Sequence, residues 1–300
     1  MRIRIGTRGS KLALIQTELV RQRLLEVNPE LLIEIVSIKT SGDQIKDQSL
    51  AEIGGKALFV KEIEEALFAN EIDIAVHSFK DIPAFLPDGL VVGCVLERED
   101  PRDAFLSTSC NSLTDLPIGA TLGTSSPRRA AQALYLRPDL QIVNFRGNVD
   151  TRLQKLESGI VDATILAVAG LRRCQTSTNL YSIMNDKDML PAVAQGAIAI
   201  ECKKDYAKIL ELLSYINHMP SYLATKAERG FLEGMNASCK TPVAAYAELT
   251  DLQLYLRCLI ALPDGSEIYR AEKFGNIEDG YKLGKEAAEE LKRYDSFAHA

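Results

Sequence analysis

The chain has 300 residues, of which 46% are hydrophobic and 25% charged, values ordinary for a folded soluble protein. This length exceeds one typical domain, so two or three compact units are expected. Asp and Glu outnumber Lys and Arg by 41 to 35, which gives a formal net charge of −6. A general nucleic-acid binder would carry a basic excess or stripe, so we expect no nucleic-acid partner.

The N-terminus and the apolar segments bear on localisation. Residues 1–6 alternate polar and apolar side chains and contain no secretion signal with its cleavage site. The most apolar stretch, residues 163–171, is far too short to cross a membrane. We therefore predict a cytoplasmic protein without a membrane partner.

The six cysteines are spread widely, with no Cys-x-x-Cys pair, and there are only three histidines. This spacing disfavours both a zinc site and a disulfide framework, so no metal is expected. Cys94, Cys202 and Cys258 stand inside apolar strand patterns and are interpreted as packing residues.

The first part of the chain alternates strand and helix patterns. Ser10 is a candidate cap for a helix whose apolar face carries Leu12, Ile15, Leu19 and Leu24. The alternation predicts a lobe with a parallel α/β sheet. Its predicted elements are strands over 2–7, 32–38 and 72–76 and helices after Ser10 and over 59–68. The polar stretch 40–55, which glycines bound, is predicted to be a mobile loop.

The same order of elements then repeats. Ser126 is a candidate cap for a helix with Pro127 at its first position, and residues 123–126 resemble the turn at 6–10. A second, related α/β lobe is therefore predicted. Its predicted elements are strands over 118–123, 141–145 and 161–168 and helices after Ser126 and over 149–157.

A strand is predicted over 198–202, followed by a helix that ends near residue 218. The residues after this helix no longer alternate strand and helix, and their pattern predicts a small α+β domain. The elements of this domain are helices over 222–233 and 281–294 and strands over 243–249, 253–261 and 267–274, with a turn at Asp264-Gly265.

Arginines gather beside glycines and hydroxyls in three segments, residues 123–129, 145–152 and 170–173. Guanidinium groups match carboxylate and phosphate geometry, and small residues let backbone N–H groups approach the same charges. The pattern predicts an anionic small-molecule ligand, with phosphate and carboxylate both open. The alternative for any single arginine is a solvated position on a helix surface.

Ligands of α/β lobes collect beyond the carboxyl ends of the strands, where helices begin. If the two lobes face one another, the residues at these turns would line a shared cleft. For Ser10 and Ser126, helix capping alone is an equally good interpretation. The residues predicted at these turns are Arg8, Ser10, Lys80, Asp81, Thr124, Ser125, Ser126, Arg128, Arg129 and Arg146.

Two further side chains are candidates for chemistry. Asp81 follows Lys80 at a strand end and can act as an acid–base group or stabilise a developing cation, or it can simply start a turn before Ile82. Cys239 lies in a small polar loop, where exposure could make it nucleophilic, although lone cysteines are mostly packing residues. His77, beside Val76, is interpreted as a core histidine.

Several long segments together closely resemble the porphobilinogen deaminase family, in order along essentially the whole chain. They are residues 54–62, 73–83, 97–105, 123–129, 146–148 and 190–196. The resemblance implies a three-domain transferase of porphyrin and haem biosynthesis with two lobes like those of periplasmic binding proteins. The implied domains are residues 1–96 with 197–216, residues 97–196, and residues 217–300.

The implied reaction joins four porphobilinogen molecules head to tail into the linear tetrapyrrole hydroxymethylbilane and releases ammonia. A dipyrromethane cofactor is implied, bound by a thioether to Cys239, and the protein is expected to be a monomer. Asp81 matches the catalytic carboxylate of the family. The residues that match its cofactor and substrate contacts are Arg8, Ser10, Gln16, Lys80, Thr124, Ser125, Ser126, Arg128, Arg129, Arg146, Gly147, Arg152, Arg173 and Gln195.

The sequence departs from the family pattern at a few positions. Glu52 stands where bacterial relatives often have Lys, and Ala237-Ser238-Cys239-Lys240 stands where Gly-Gly-Cys-Gln is common. Pro127 replaces an aliphatic residue at a position that tolerates proline. Two rival interpretations are a solute-binding module without catalysis and a thiol-dependent redox enzyme, the latter disfavoured because no second cysteine lies nearby.

Overall fold

The computed structural model describes residues 1–44, 60–176, 180–238 and 241–294. These residues form two compact units. The first contains residues 1–44, 60–99 and 196–222, and the second contains the described residues of 100–195 and 223–294. The predicted loop at 40–55 lies mostly outside the described residues.

The first unit is built around one five-stranded sheet. Ser10 begins the first helix by accepting a hydrogen bond from the Ala13 N–H at 3.3 Å, as predicted. The elements are β1 (Arg2–Arg8), α1 (Lys11–Val27), β2 (Leu32–Ile38), α2 (Ser41–Gln44), α3 (Lys61–Phe68), β3 (Ile74–Ser78), β4 (Leu90–Val95), β10 (Ile198–Lys203) and α7 (Ala207–Ser214).

The strand order of this first sheet is β2-β1-β3-β10-β4. Strands β2, β1 and β3 are parallel, as predicted, but β10 runs antiparallel to both of its neighbours, β3 and β4. The three strands predicted to be parallel are therefore parallel, and β10 is the exception in this sheet. Alternation of helix and strand along the chain cannot show that a strand from far downstream enters the sheet in the opposite direction.

The second unit contains a sheet of the same design. Ser126 caps the helix that starts at Pro127, as predicted. In the order β7-β6-β8-β5-β9, β5 again runs antiparallel to both of its neighbours, and the other four strands share one direction. This shared order confirms two related lobes. The elements are β5 (Asp103–Ser107), β6 (Thr121–Gly123), α4 (Pro127–Leu136), β7 (Gln141–Val143), α5 (Val149–Glu157), β8 (Ala163–Ala167), α6 (Val168–Arg173) and β9 (Tyr181–Ile183).

The last part of the chain is a small α+β domain within the second unit, as predicted. Its antiparallel sheet has the order β11-β12-β13, with β11 (Val243–Thr250), β12 (Gln253–Ala261) and β13 (Ile268–Asn276). It carries helices α8 (Met219–Gly234) and α9 (Gly280–Lys292). These helices approach closely at Gly284, where a Cβ atom would lie 2.2 Å from the Ala227 carbonyl oxygen.

Each sheet has its own apolar core. In the first unit, Ile3 and Ile5 of β1 pack with Val20 and Leu24 of α1. The predicted helix face was partly wrong, because Leu19 is exposed whereas Gln16 and Thr17 are buried. Along the described segments, no helix combines the length and apolar character needed to cross a membrane.

Candidate functional site

In the first unit, two predicted residues meet at one sheet edge. Strands β1 and β3 are parallel neighbours, so the residues that follow them lie at the same edge. Arg8 ends β1, and Asp81 ends the short 3₁₀ turn that follows β3. Arg8 Nη1 lies 4.0 Å from Asp81 Oδ2.

The Asp81 side chain is accessible from solvent. It is 37% exposed, and the Arg8 side chain is 21% exposed. Lys80, the residue before Asp81, is also exposed. A carboxylate at a sheet edge, next to cations and open to a ligand, can accept hydrogen bonds and stabilise positive charge.

Gln16 supports this edge from inside the lobe. Its side chain is buried, and its amide nitrogen donates to the Ser78 hydroxyl at 2.9 Å. Ser78 is the last residue of β3, immediately before the turn that carries Lys80 and Asp81. The contact therefore fixes the end of β3 against α1, and Gln16 acts here on the position of the turn.

In the second unit, three hydroxyls follow β6. Ser126 caps α4 by accepting from the Arg129 N–H at 3.4 Å, and Thr124 Oγ1 accepts from the Ser126 N–H at 3.2 Å. The Ser125 hydroxyl donates to Asn144 Oδ1 and accepts from the Phe145 N–H at 3.0 Å. These contacts tie the end of β6 to the end of β7 and place the N-terminus of α4 at the sheet edge.

Arg128 and Arg129 share one buried carboxylate, Asp103. Arg128 Nη2 lies 2.7 Å from Asp103 Oδ2, and Arg129 Nη2 lies 2.7 Å from Oδ1. Asp103 begins β5, which is antiparallel to β8, so it lies at the edge where the parallel strands end. All three side chains are at least nine-tenths buried.

This cluster has more positive than negative charge. Burial by itself raises the pKa of Asp103, but the charges of Arg128 and Arg129 outweigh burial and lower that pKa below its ordinary range. Burial also lowers the pKa of Arg128, against the opposing effect of Asp103. Two guanidinium groups and one carboxylate leave a positive charge that an anionic ligand can compensate.

One donor of Arg128 also lacks an acceptor. Its Nη1 donates to the Leu190 carbonyl at 2.7 Å, whereas its buried Nε has no hydrogen-bond partner among the described residues. Arg129, by contrast, uses Nε and Nη2 on Asp103 and Nη1 on the Ile165 carbonyl. The orphaned donor and the surplus charge together fit a ligand with carboxylates, as dipyrromethane is expected to be.

Gln195 is the third group on Asp103. Its side-chain amide donates to Asp103 Oδ1 at 3.0 Å and to the Pro101 carbonyl at 2.7 Å. Gln195 is buried, so its amide acts on the cluster from inside the protein.

The other predicted arginines lie on neighbouring turns of the same lobe. Arg146 and Gly147 follow β7, and Arg152 Nε donates to the Gly147 carbonyl at 2.8 Å. Gly147 has a φ of 131°, a conformation that favours glycine. Arg173 ends α6, after β8, and both Arg146 and Arg173 are partly exposed.

His77 belongs to a separate buried cluster in the core of the first lobe, as predicted. Its Nε2 lies 3.1 Å from Glu201 Oε2, on the neighbouring strand β10. Glu64 of α3 is buried near them, and burial, with a contribution from the charge of Glu201, raises its pKa to about 7.

Cys94, Cys202 and Cys258 are buried, which confirms their packing role.

Cys239, Lys240 and Glu52 lie outside the described residues. The flanking residues are described: Ser238 and Thr241 hydrogen bond to each other, with 3.0 Å from the Thr241 nitrogen to the Ser238 carbonyl oxygen. The predicted cofactor attachment at Cys239 stays a prediction.

The sequence interpretation missed the groups that hold the predicted ones in place. Asp103 and Ser78 lie within the segments 97–105 and 73–83 but were not predicted as site residues, although both contact predicted ones. A signal for Asp103 was present, because an acidic residue opens the apolar run 104–106 at a position that is buried in a sheet.

Two family models match the chain. Residues 3–211 match "Porphobilinogen deaminase, dipyromethane cofactor binding domain", and residues 222–293 match "Porphobilinogen deaminase, C-terminal domain". The porphobilinogen deaminase of Paracoccus denitrificans is 50% identical over 97% of this chain and 93% of that protein.

Two other relatives match the chain at a similar identity. The porphobilinogen deaminase of a Wolbachia species from Drosophila simulans is 51% identical over 97% of this chain and 99% of that protein. The chloroplastic enzyme of Pisum sativum is 50% identical over 96% of this chain and 80% of that protein. Among solved structures, the periplasmic VFT2 domain of Bordetella pertussis BvgS has a TM-score of 0.42 and 12% identity, covering 72% of this chain and 86% of that chain.

Proposed function

Because the chain belongs to the porphobilinogen deaminase family, we propose that it joins four porphobilinogen molecules head to tail into hydroxymethylbilane and releases ammonia. This is a transferase reaction of porphyrin and haem biosynthesis. The observation that carries the proposal is the buried pair Arg128 and Arg129 with its single carboxylate, Asp103. Porphobilinogen carries an acetate and a propionate on its pyrrole ring, and a guanidinium group is the side chain best suited to bind them.

The matched family model implies a dipyrromethane cofactor, and the residues present fit it. When bound, this cofactor supplies the two-pyrrole primer to which further pyrrole units are added. We place its attachment at Cys239. Arg128 would bind one of its carboxylates, because the Arg128 Nε is a buried donor with no acceptor among the described residues.

Asp81 is assigned the acid–base role. Its carboxylate would accept a hydrogen bond from a pyrrole N–H of the substrate, stabilise the positive charge that develops as ammonia leaves, and take up the proton released afterwards. Its partial exposure and its place at the sheet edge support this assignment. Arg8 and Lys80 would bind substrate carboxylates beside it.

The remaining predicted residues are assigned binding and supporting roles. Hydroxyls and cations at the edge of the second lobe suit a ligand that gains carboxylates at every cycle. Gln16 and Gln195 act from buried positions through Ser78 and Asp103. The residues assigned to ligand binding are Ser10, Thr124, Ser125, Ser126, Arg146, Gly147, Arg152 and Arg173.

The setting of the reaction is also part of the proposal. We propose a cytoplasmic monomer without nucleic-acid or membrane partners, based on the acidic composition. We propose domains of residues 1–96 with 197–216, 97–196 and 217–300. Separate sheets in the three parts support this division.

The decisive experiment is the intact mass of the denatured protein, purified from a host that makes porphobilinogen. We expect a covalent adduct of two pyrrole units on the wild type and on Cys110→Ser, and none on Cys239→Ser. Cys110 is a matched control because it is a partly exposed cysteine in another part of the chain. Ammonia and hydroxymethylbilane formation is measured on the same samples.

Two outcomes would contradict the proposal. An unmodified mass for protein that turns over porphobilinogen would reject the attachment at Cys239. Tight binding of porphobilinogen without any release of ammonia would instead support a solute-binding module.

A further inference from the structure

Glu228 of α8 contacts the segment that leads to the arginine pair. It is buried, and its Oε2 accepts from the Ala194 N–H at 2.6 Å. Its Oε1 accepts from the Ala247 N–H of β11 at 2.9 Å. One carboxylate of the small α+β domain thus holds both its own sheet and a loop of the second lobe.

The loop residue that Glu228 contacts has an unusual conformation. Ala194 has a φ of 56°, in the left-handed region that non-glycine residues rarely adopt. The charge-assisted hydrogen bond to Glu228 favours this conformation, because it requires the Ala194 N–H to point at the carboxylate. The Gln195 N–H donates to the Ala192 carbonyl at 2.9 Å in the same turn.

Gln195, the residue after Ala194, links this turn to the buried cluster of Asp103 with its two arginines. The Gln195 side chain donates to Asp103 Oδ1, the same oxygen that Arg129 contacts. Asp103 in turn positions Arg128. Two hydrogen bonds, one peptide bond and the ion pair between Asp103 and Arg128 therefore link α8 to the guanidinium group with the orphaned donor.

We propose that Glu228 is a positioning residue for carboxylate binding: it fixes the turn at Ala194 so that Gln195 and Asp103 hold Arg128 and Arg129 in place for the ligand. This rests on the proposed function of the arginine pair. Glu228 does not touch substrate in this scheme. Its effect is on binding, which distinguishes it from a group that acts in the chemical step.

The test compares Glu228→Gln with Glu233→Gln. The amide introduced by Glu228→Gln would keep one acceptor oxygen, but its NH₂ group would face a backbone N–H, so one buried donor is left unpaired. Glu233 lies on the same helix and accepts from the Tyr281 hydroxyl of α9 at 2.6 Å, away from residue 194. We expect Glu228→Gln to raise the KM for porphobilinogen about tenfold with little change in kcat, and Glu233→Gln to leave both unchanged.

Two further readouts separate positioning from general stability. Apo-protein is incubated with porphobilinogen, and the fraction carrying the adduct is followed by intact mass; we expect Glu228→Gln to load about tenfold more slowly at limiting porphobilinogen. In the double variant with Gln195→Ala, we expect the KM to match that of Gln195→Ala alone, because both act through Asp103.

The outcomes are distinct. An unchanged KM and loading rate for folded Glu228→Gln, or effects that simply add to those of Gln195→Ala, would overturn the inference. A wild type that neither loads nor turns over would instead reject the proposed function. If Glu228→Gln does not fold, the same measurements are made on Glu228→Asp, which keeps both carboxylate oxygens. Its KM is expected to lie between that of the wild type and the increase of about tenfold expected for Glu228→Gln.

Discussion

The two lobes share one strand order but place their buried charges differently. In the first lobe, His77 and Glu201 face each other from neighbouring strands inside the sheet. In the second lobe, Asp103 is the first residue of the corresponding antiparallel strand, and its partners come from helix α4. The corresponding position in the first lobe is Ile198, which pairs with Ser78.

This difference separates a charge pair inside a sheet from a charge cluster at a sheet edge. In the first lobe one imidazole ring pairs with one carboxylate, so this pair holds no surplus of arginine charge. Arginine stays charged, so two arginines on one carboxylate leave a lasting positive charge at the strand end. The same fold thus places a partly exposed carboxylate, Asp81, at the sheet edge of the first lobe and a buried pair of cations at the sheet edge of the second.

The largest expected effect on activity comes from removing the Asp81 carboxylate of the first lobe. Asp81→Ala should retain the adduct on Cys239 but lower kcat about a thousandfold, because an acid–base group is lost. Ammonia release per adduct-bearing molecule measures this. Asp88→Ala, which removes an exposed carboxylate of the same lobe, should have near-normal activity. Near-normal turnover by Asp81→Ala would reject the assigned role.

The second prediction compares the buried carboxylates of the two lobes. Asp103→Asn should lower the free energy of unfolding by about 3 to 4 kcal/mol, because it leaves two buried guanidinium groups without a counter-charge. Glu201→Gln should cost only about 1 kcal/mol, because a glutamine side chain can keep a hydrogen bond to the His77 ring and leaves no buried arginine without a counter-charge. Urea unfolding at pH 7 measures both values. Equal losses would contradict the contrast between the lobes.

The third prediction concerns pH and the first lobe. The pKa of Glu64 is raised from its ordinary value of 4.5 to about 7, so the folded state holds this proton more tightly than the unfolded state. Its contribution to stability is complete below pH 4.5 and is lost as the pH rises through about 7.

Glu64→Gln removes this dependence. Relative to wild type, the variant should therefore gain up to about 3 kcal/mol between pH 4.5 and pH 8, as measured by urea unfolding across that range. Glu71→Gln, at an exposed position of the same lobe, should follow the wild-type curve. A constant difference between Glu64→Gln and wild type would show that Glu64 does not bind a proton in this range.

The smallest effects test what the lobes have in common. Ser10→Ala and Ser126→Ala should each cost about 1 kcal/mol of unfolding free energy, since each removes a helix cap, whereas the glycine variants should cost a few tenths. If Ser126 also binds ligand, both of its variants should raise the KM for porphobilinogen. An unaltered KM in both would limit Ser126 to capping.

Local patterns predicted much of the fold. Strand β12 and helix α5 have the predicted limits, because their periodicity is clear and turn residues bound them. The three-residue strand β9 was missed, since such a short segment carries little pattern. Leu19 was assigned to the core and is exposed, because packing between elements decides which side of a helix is covered.

The positions of the candidate residues were predictable where motifs are contiguous. Arg128, Asp81 and their neighbours follow strands in the sequence, and the turns indicated their place. Their partners were not predictable, because the contacts from Asp103 to Arg129 and from Glu228 to Ala194 join residues far apart in the chain. Asp103 lies at the edge where the parallel strands end because β5 runs antiparallel to β8.

The position of β10 has a consequence for synthesis. The second lobe's sheet is made from one continuous stretch of chain, but the first lobe's sheet needs β10 between β3 and β4, after that whole stretch has been made. Until β10 leaves the ribosome, β3 and β4 each lack a neighbour and present open edges that can pair with other chains. The sheet of the first lobe therefore cannot be completed until the second lobe has been synthesised. A chain cut short before Ile198 is expected to aggregate.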